Sequence, residues 1–137
     1  MQQQRLDVQS QITFLYYRDL GPISRFYEEV MGFKLVEDQE FAKIYRVNKN
    51  AYLGIVDEKR GFHKVQEKSA VLITLVVDDV SGWYDYLKQQ GVKIVRELRE
   101  IEDIQIRCFF LEDPGGYAIE VQQFLKPEVA RIFAPTG

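Results

Sequence analysis

The chain has 137 residues, a formal net charge of −3 and a pI near 5.3, a length suited to one compact domain or two small halves that fold together. Apolar residues make up 46% and interspersed charged residues 28%, enough for a core and a wetted surface but with no basic stripe for a phosphate backbone, so nucleic acid is not an expected partner. No apolar run reaches the roughly 18–20 residues that cross a bilayer, and the polar start MQQQRLDVQSQ lacks the apolar stretch of a signal peptide, so a membrane is not expected either.

In chain order, residues 12–17 read as a strand. A helix follows, with Ile23, Phe26, Tyr27 and Val30 at i, i+3, i+4 and i+7, one apolar stripe of a 3.6-residue period. Pro22 suits the first helical turn, where its missing N–H costs nothing, and Gly32 suits the left-handed position that ends a helix. Strand-like runs follow at 34–37, 41–47 and 51–56, the last two separated by Asn48-Lys49-Asn50. Residues 58–69, rich in Lys and Glu, read as a linker. A strand at 71–77 then leads to a second helix with Val80, Trp83, Tyr84 and Leu87 in the same spacing, Asp79 as its N-cap and Gly91 at its end. Strands at 93–98, 104–111 and 117–124 complete the second half, with Asp113-Pro114-Gly115-Gly116 as a turn. The tail, 126–137, predicts a short helix over 127–133 that then frays.

The order is a repeat. Asp19 and Asp79 lie 60 positions apart, Gly32 and Gly91 lie 59 apart, so the two helices differ by one residue. Each half reads β-α-β-β-β: a first module over 1–57 and a second over 70–125, in one compact domain overall.

Two stretches carry a family likeness. RDLGPISRFYEEVMGFKLV has Asp-Leu, Phe-Tyr and Gly-Phe landmarks, and EDPGGYAIEVQQF sends an Asp-Pro-x-Gly turn into a strand bearing a carboxylate. With the duplication they resemble the glyoxalase/bleomycin-resistance/dioxygenase (vicinal oxygen chelate) superfamily over roughly residues 10–125. The resemblance implies an α+β fold: two βαβββ repeats forming curved mixed sheets around a cup-shaped cavity, helices outside. Strand alternation then turns Thr13, Leu15 and Tyr17, and Ile73, Leu75 and Val77, toward the helices. Ile12, Phe14, Tyr16, Leu72, Thr74 and Val76 face the cup, with Tyr52, Gly54, Val56, Ala118, Glu120 and Gln122 on the last strand of each half.

Metal-dependent members of the family set four ligands on those strands, and the matching positions here are Ile12, Gly54, Leu72 and Glu120. Only Glu120 has a donor side chain, where a site needs three or four. The single histidine, His63, also excludes from one chain any site built on two or three histidines. No metal and no cofactor are therefore expected. Glu120 is the candidate catalytic residue, suited to act as a base or to anchor a cation. Ile12, Phe14, Tyr16, Tyr52, Leu72, Thr74, Glu120 and Gln122 are the candidate ligand-binding residues, the aromatics offering rings for stacking. Arg46 and Arg107 read as exposed strand arginines, His63 as a surface loop residue, and Cys108 as a buried inert thiol. A lone cysteine cannot form an internal disulfide, which points to a cytoplasmic setting.

The expected function is metal-free small-molecule binding similar to the bleomycin-resistance branch. The alternatives are a lyase, isomerase or dioxygenase-type enzyme using Glu120 as base or metal ligand, and a scaffold with no ligand. A homodimer is expected from the resemblance alone.

Overall fold

Strands form where β-branched and aromatic residues alternate between two environments, and helices where the apolar stripe has somewhere to be buried. A computed structural model describes residues 6–135; the polar stretch 1–5 and the last two residues of the tail lie outside the described residues. The chain divides between residues 67 and 68 into two units. Each is a βαβββ module containing one four-stranded mixed sheet, so the fold is α+β with two open sheets.

In the first unit, β1 (Gln11–Tyr17), β2 (Lys34–Asp38), β3 (Ala42–Asn48) and β4 (Ala51–Asp57) take the order β1-β4-β3-β2. β1 pairs parallel to β4, and the other pairs are antiparallel. Helix α1 (Leu20–Arg25) starts at Asp19, whose carboxylate accepts from Gly21 N–H at 3.1 Å. It continues as a π-helical turn over Phe26–Val30, with Met31 N–H donating to Phe26 C=O at 2.9 Å. A π turn is an α-helix with one residue too many, and the second helix has one residue fewer between its Asp and its Gly. The one-residue difference between the repeats is thus absorbed as a bulge that keeps Ile23, Phe26 and Tyr27 all buried. The helix face packs on Leu15, Tyr17, Tyr45, Leu53 and Ile55; burying such side chains contributes about 1.5–3 kcal/mol each.

The second unit repeats the plan. Its strands β5 (Leu72–Val76), β6 (Lys93–Ile101), β7 (Ile106–Glu112) and β8 (Ala118–Phe124) have the order β5-β8-β7-β6, with β5 parallel to β8. Helix α2 (Val80–Gln89) is capped by Asp79, which accepts from Gly82 N–H at 3.1 Å, and tied to β8 by Gln123, whose Oε1 accepts from Val80 N–H at 3.1 Å. Val80 and Leu87 are fully buried; Trp83 is only half-buried, while Tyr84 meets Phe109 edge-on at 5.0 Å. Both helices end as expected, with Gly32 and Gly91 at φ +74°.

Most strand boundaries differ from the sequence reading by one residue, and β6 runs three residues further, to Ile101. β7 starts at Ile106 because residues 102–105 form a turn with Gln105 at φ +51°. β5 is shorter by one residue at each end. Thr13, on the helix-facing side of β1, is exposed because the helix covers only the Leu15–Tyr17 end. The tail helix α3 (Pro127–Phe133) forms as expected and stacks Phe133 on Phe124 at 5.0 Å.

Candidate functional site

Each sheet has a face turned away from its helix, and alternation delivers the candidate residues there. In the first unit Ile12 stands opposite Tyr52, Phe14 opposite Gly54 and Tyr16 opposite Val56. Ile12 and Phe14 remain 38% exposed although both are large and apolar. The ring of Phe14 lies directly over Gly54, and a Cβ at Gly54 would collide with it. Tyr16 meets His63 edge-on at 5.5 Å, so the linker histidine is exposed but held against the sheet by an aromatic contact. Glu58 organises that linker by accepting from Val65 N–H at 3.1 Å.

A cavity of about 360 Å³ opens on this face, lined by Ser10, Ile12, Val36, Glu37, Ile44 and Tyr52. Its size lies in the range of small-molecule pockets. Arg46, on β3, is exposed as expected and donates from Nε and Nη2 to the Tyr52 hydroxyl at 3.3 Å each.

In the second unit Leu72 is 47% exposed, Thr74 stands opposite Glu120 and Val76 opposite Gln122. Glu120 is 9% exposed, and its Oε1 accepts from the Thr74 hydroxyl at 2.9 Å. Cys108 is buried opposite Gln122 across β7–β8, near the same carboxylate. Burial pushes the Cys108 thiol above its ordinary pKa; the nearby Glu120 carboxylate pushes the same way, and Arg99 and Arg96 oppose them more weakly. The thiol is buried, as expected. Arg107 pairs with Glu100 at 3.1 Å on the helix side of the sheet, away from these groups.

Of the eight candidate residues, Ile12 and Tyr52 line one cavity, Phe14 covers Gly54, Tyr16 meets the linker, and Thr74 binds Glu120. Gln122 lies in register with Cys108, and Leu72 with Ala118. Glu37, Val36 and Ser10 were missed. Plain alternation along β2 places Glu37 on the helix side, but the β2–β3 register shifts between Leu35 and Glu37, so Glu37 stands opposite Ile44. A bulge of this sort leaves no mark in an alternation pattern.

The donor set does not fit the metal of the metal-dependent relatives. Ile12 and Leu72 offer no lone pair, and the place of a side chain at Gly54 is taken by the Phe14 ring. Among the described residues no three His, Cys, Asp or Glu side chains converge as a metal site. No helix among them is long and apolar enough to cross a membrane.

Comparison with known proteins agrees with this architecture. A probable lactoylglutathione lyase of Vibrio parahaemolyticus is 30% identical over 122 residues, which cover 81% of this chain and 87% of that protein. TioX from Micromonospora sp. ML1 superposes with a TM-score of 0.72 at 16% identity, covering 86% of this chain and all of that one. The fosfomycin resistance protein FosX from Mesorhizobium loti superposes with a TM-score of 0.65 at 20% identity, covering 91% and 98%. The model of the Glyoxalase/Bleomycin resistance protein/Dioxygenase superfamily matches residues 9–121, and the chain belongs to that superfamily.

Proposed function

We propose that this protein binds a small molecule without a metal, sequestering it as the bleomycin-resistance part of the family description implies. The observation that carries this reading is the face itself. Where a metalloenzyme needs donors, the chain presents Ile12, Leu72 and a Phe14 ring, and beside Ile12 a cavity of about 360 Å³. On the first unit's face Ile12, Phe14, Tyr16 and Tyr52 supply contact area; on the second unit's face Leu72 supplies contact area and Thr74, Glu120 and Gln122 supply polar direction. The large apolar side chains left exposed on both faces support a homodimer that covers them. The unpaired thiol of Cys108 supports a cytoplasmic setting.

A thermal-shift screen tests the reading, because a ligand that binds only the folded chain at about 100 times its Kd adds about 2.7 kcal/mol of stability. At least one small molecule should stabilise the wild type, unaffected by chelators, and less so Tyr52→Ala. Stabilisation by no compound in a broad library would remove the reading.

A second reading is favoured by a specific observation. Relatives about 30% identical are named lactoylglutathione lyases, and Glu120 is a buried carboxylate that accepts from the Thr74 hydroxyl. In that reading Glu120 is a base or a metal ligand of a lyase, isomerase or dioxygenase-type enzyme. Turnover that is lost in Glu120→Gln would favour it.

A further inference from the structure

The cavity of the first unit contains one charged side chain, and the backbone is deformed to put it there. Along β2, Leu35 stands opposite Tyr45 on the helix side. Regular pairing would set Val36 opposite Ile44 and send Glu37 back toward the helix. Instead the register slips, and Glu37 is the residue opposite Ile44. Both Val36 and Glu37 then line the cavity. A bulge disrupts the hydrogen-bond ladder locally and re-aims a side chain, and here it re-aims a carboxylate across a wall made of Ile12, Val36 and Ile44.

Among the described residues no cation lines the cavity beside it. Lys43 is engaged by Asp38 at 2.8 Å, and that lysine, with the Glu40 backbone N–H, holds the Asp38 carboxyl below its usual pKa. Arg46 donates to the neutral Tyr52 hydroxyl and keeps its charge, and Lys34 stands opposite it, but neither is among the residues that line the cavity. Glu37 forms no ion pair among the described residues; one oxygen accepts from Asp38 N–H at 3.1 Å. Ser10 adds a hydroxyl to the lining.

From this we infer that the cavity is selective for a small organic cation, an apolar body carrying an ammonium or similar group that meets Glu37. The inference rests on the reading of this face as a ligand site and adds the charge class of the ligand. An apolar wall holds the body of a ligand without regard to charge. The carboxylate attracts a cation, leaves a neutral isostere with the wall alone, and repels an anion.

The test is an NMR titration of the full chain with 2-phenylethylamine, 2-phenylethanol and 3-phenylpropanoate at neutral pH, repeated on Glu37→Gln. Gln keeps the acceptor for Asp38 N–H, so the bulge is retained. The amine should shift resonances of β1–β4 and bind about fivefold tighter than the alcohol, the advantage expected of a solvent-accessible ion pair. The propanoate should bind more weakly than the alcohol. In Glu37→Gln the amine should fall to the level of the alcohol, while the alcohol is unchanged. Equal binding of amine and alcohol in the wild type, or an amine preference that survives Glu37→Gln, overturns the charge class and leaves the ligand face standing. Failure of all three probes to bind overturns both.

Discussion

In the first sheet Phe14 stands opposite Gly54; at the corresponding place in the second, Thr74 stands opposite Glu120. The backbone pairing is the same, parallel first strand against last, yet one pair is an aromatic ring laid over a glycine and the other a hydroxyl bonded to a carboxylate. The bulges repeat too. β2 slips after Leu35 and brings Glu37 onto the open face, while β6 slips after Ile94 and brings Arg96 opposite Phe110, its guanidinium 5.3 Å from that ring. Duplication has preserved the ladder and its irregularities while the side chains diverged in polarity. Backbone hydrogen bonds are indifferent to the residue that makes them, so the open faces are where two copies can differ without loss of fold.

The cores diverge as well, and the largest expected effect lies there. The helix-facing core of the second unit is nearly all hydrocarbon around Phe109, Leu111 and Leu87, whereas the first buries Tyr27 and Tyr45. Phe109→Ala should cost about 3–5 kcal/mol in a urea titration; a cost below about 1 kcal/mol would mean that the residue is not the centre of that core. Next is the ring over the glycine. Gly54→Ala should cost about 1–3 kcal/mol by overpacking, and most of that cost should vanish in a Phe14→Ala background. Additive effects in the double-mutant cycle would break the pairing drawn between Phe14 and Gly54.

Thr74→Val should cost about 1.5–3 kcal/mol, since it removes a hydrogen bond to a buried carboxylate. Thr74→Ser, which keeps the hydroxyl, should recover most of it. The smallest effect is in the first core, where the Tyr45 hydroxyl donates to Glu28 at 2.8 Å. Tyr45→Phe should cost about 1 kcal/mol, because the exposed Glu28 regains water. Burial, then the hydrogen bond and charge of Glu28, raise the Tyr45 phenol well above its ordinary pKa. A raised pKa means that the folded chain keeps a proton the unfolded chain gives up, so this contribution is complete below the ordinary phenol pKa of about 10 and falls away above it. The raised Cys108 thiol acts with the same sign from a lower pH. Wild-type stability should decline through the alkaline range, and Tyr45→Phe should flatten that decline above about pH 10. An unchanged slope would contradict the cause assigned.

Much of this was legible in the residues. Both helices, the cap at Asp79 and the ends at Gly32 and Gly91 follow from periodicity and backbone preference. The 60 against 59 spacing foresaw a one-residue difference between the helices, although that it would be stored as a π turn was not visible, because a π turn has no side-chain signature. The faces of β1, β4, β5 and β8 followed from alternation. What alternation cannot show is where it breaks: the bulge at Val36–Glu37 hid a cavity carboxylate. Nor can strand periodicity show what crosses between neighbouring strands. Thr74 and Glu120 lie 46 residues apart, and only the parallel pairing of β5 with β8 brings the hydroxyl to the carboxylate.

The central claim is that the open faces, stripped of metal donors, hold a small molecule directly. Elemental analysis of the purified chain before and after exposure to excess Zn²⁺, Ni²⁺, Mn²⁺ and Fe²⁺, followed by desalting, tests it most directly. The account predicts far less than one equivalent of any metal, with the same trace level in Glu120→Gln. One equivalent bound by the wild type and lost in Glu120→Gln would contradict it.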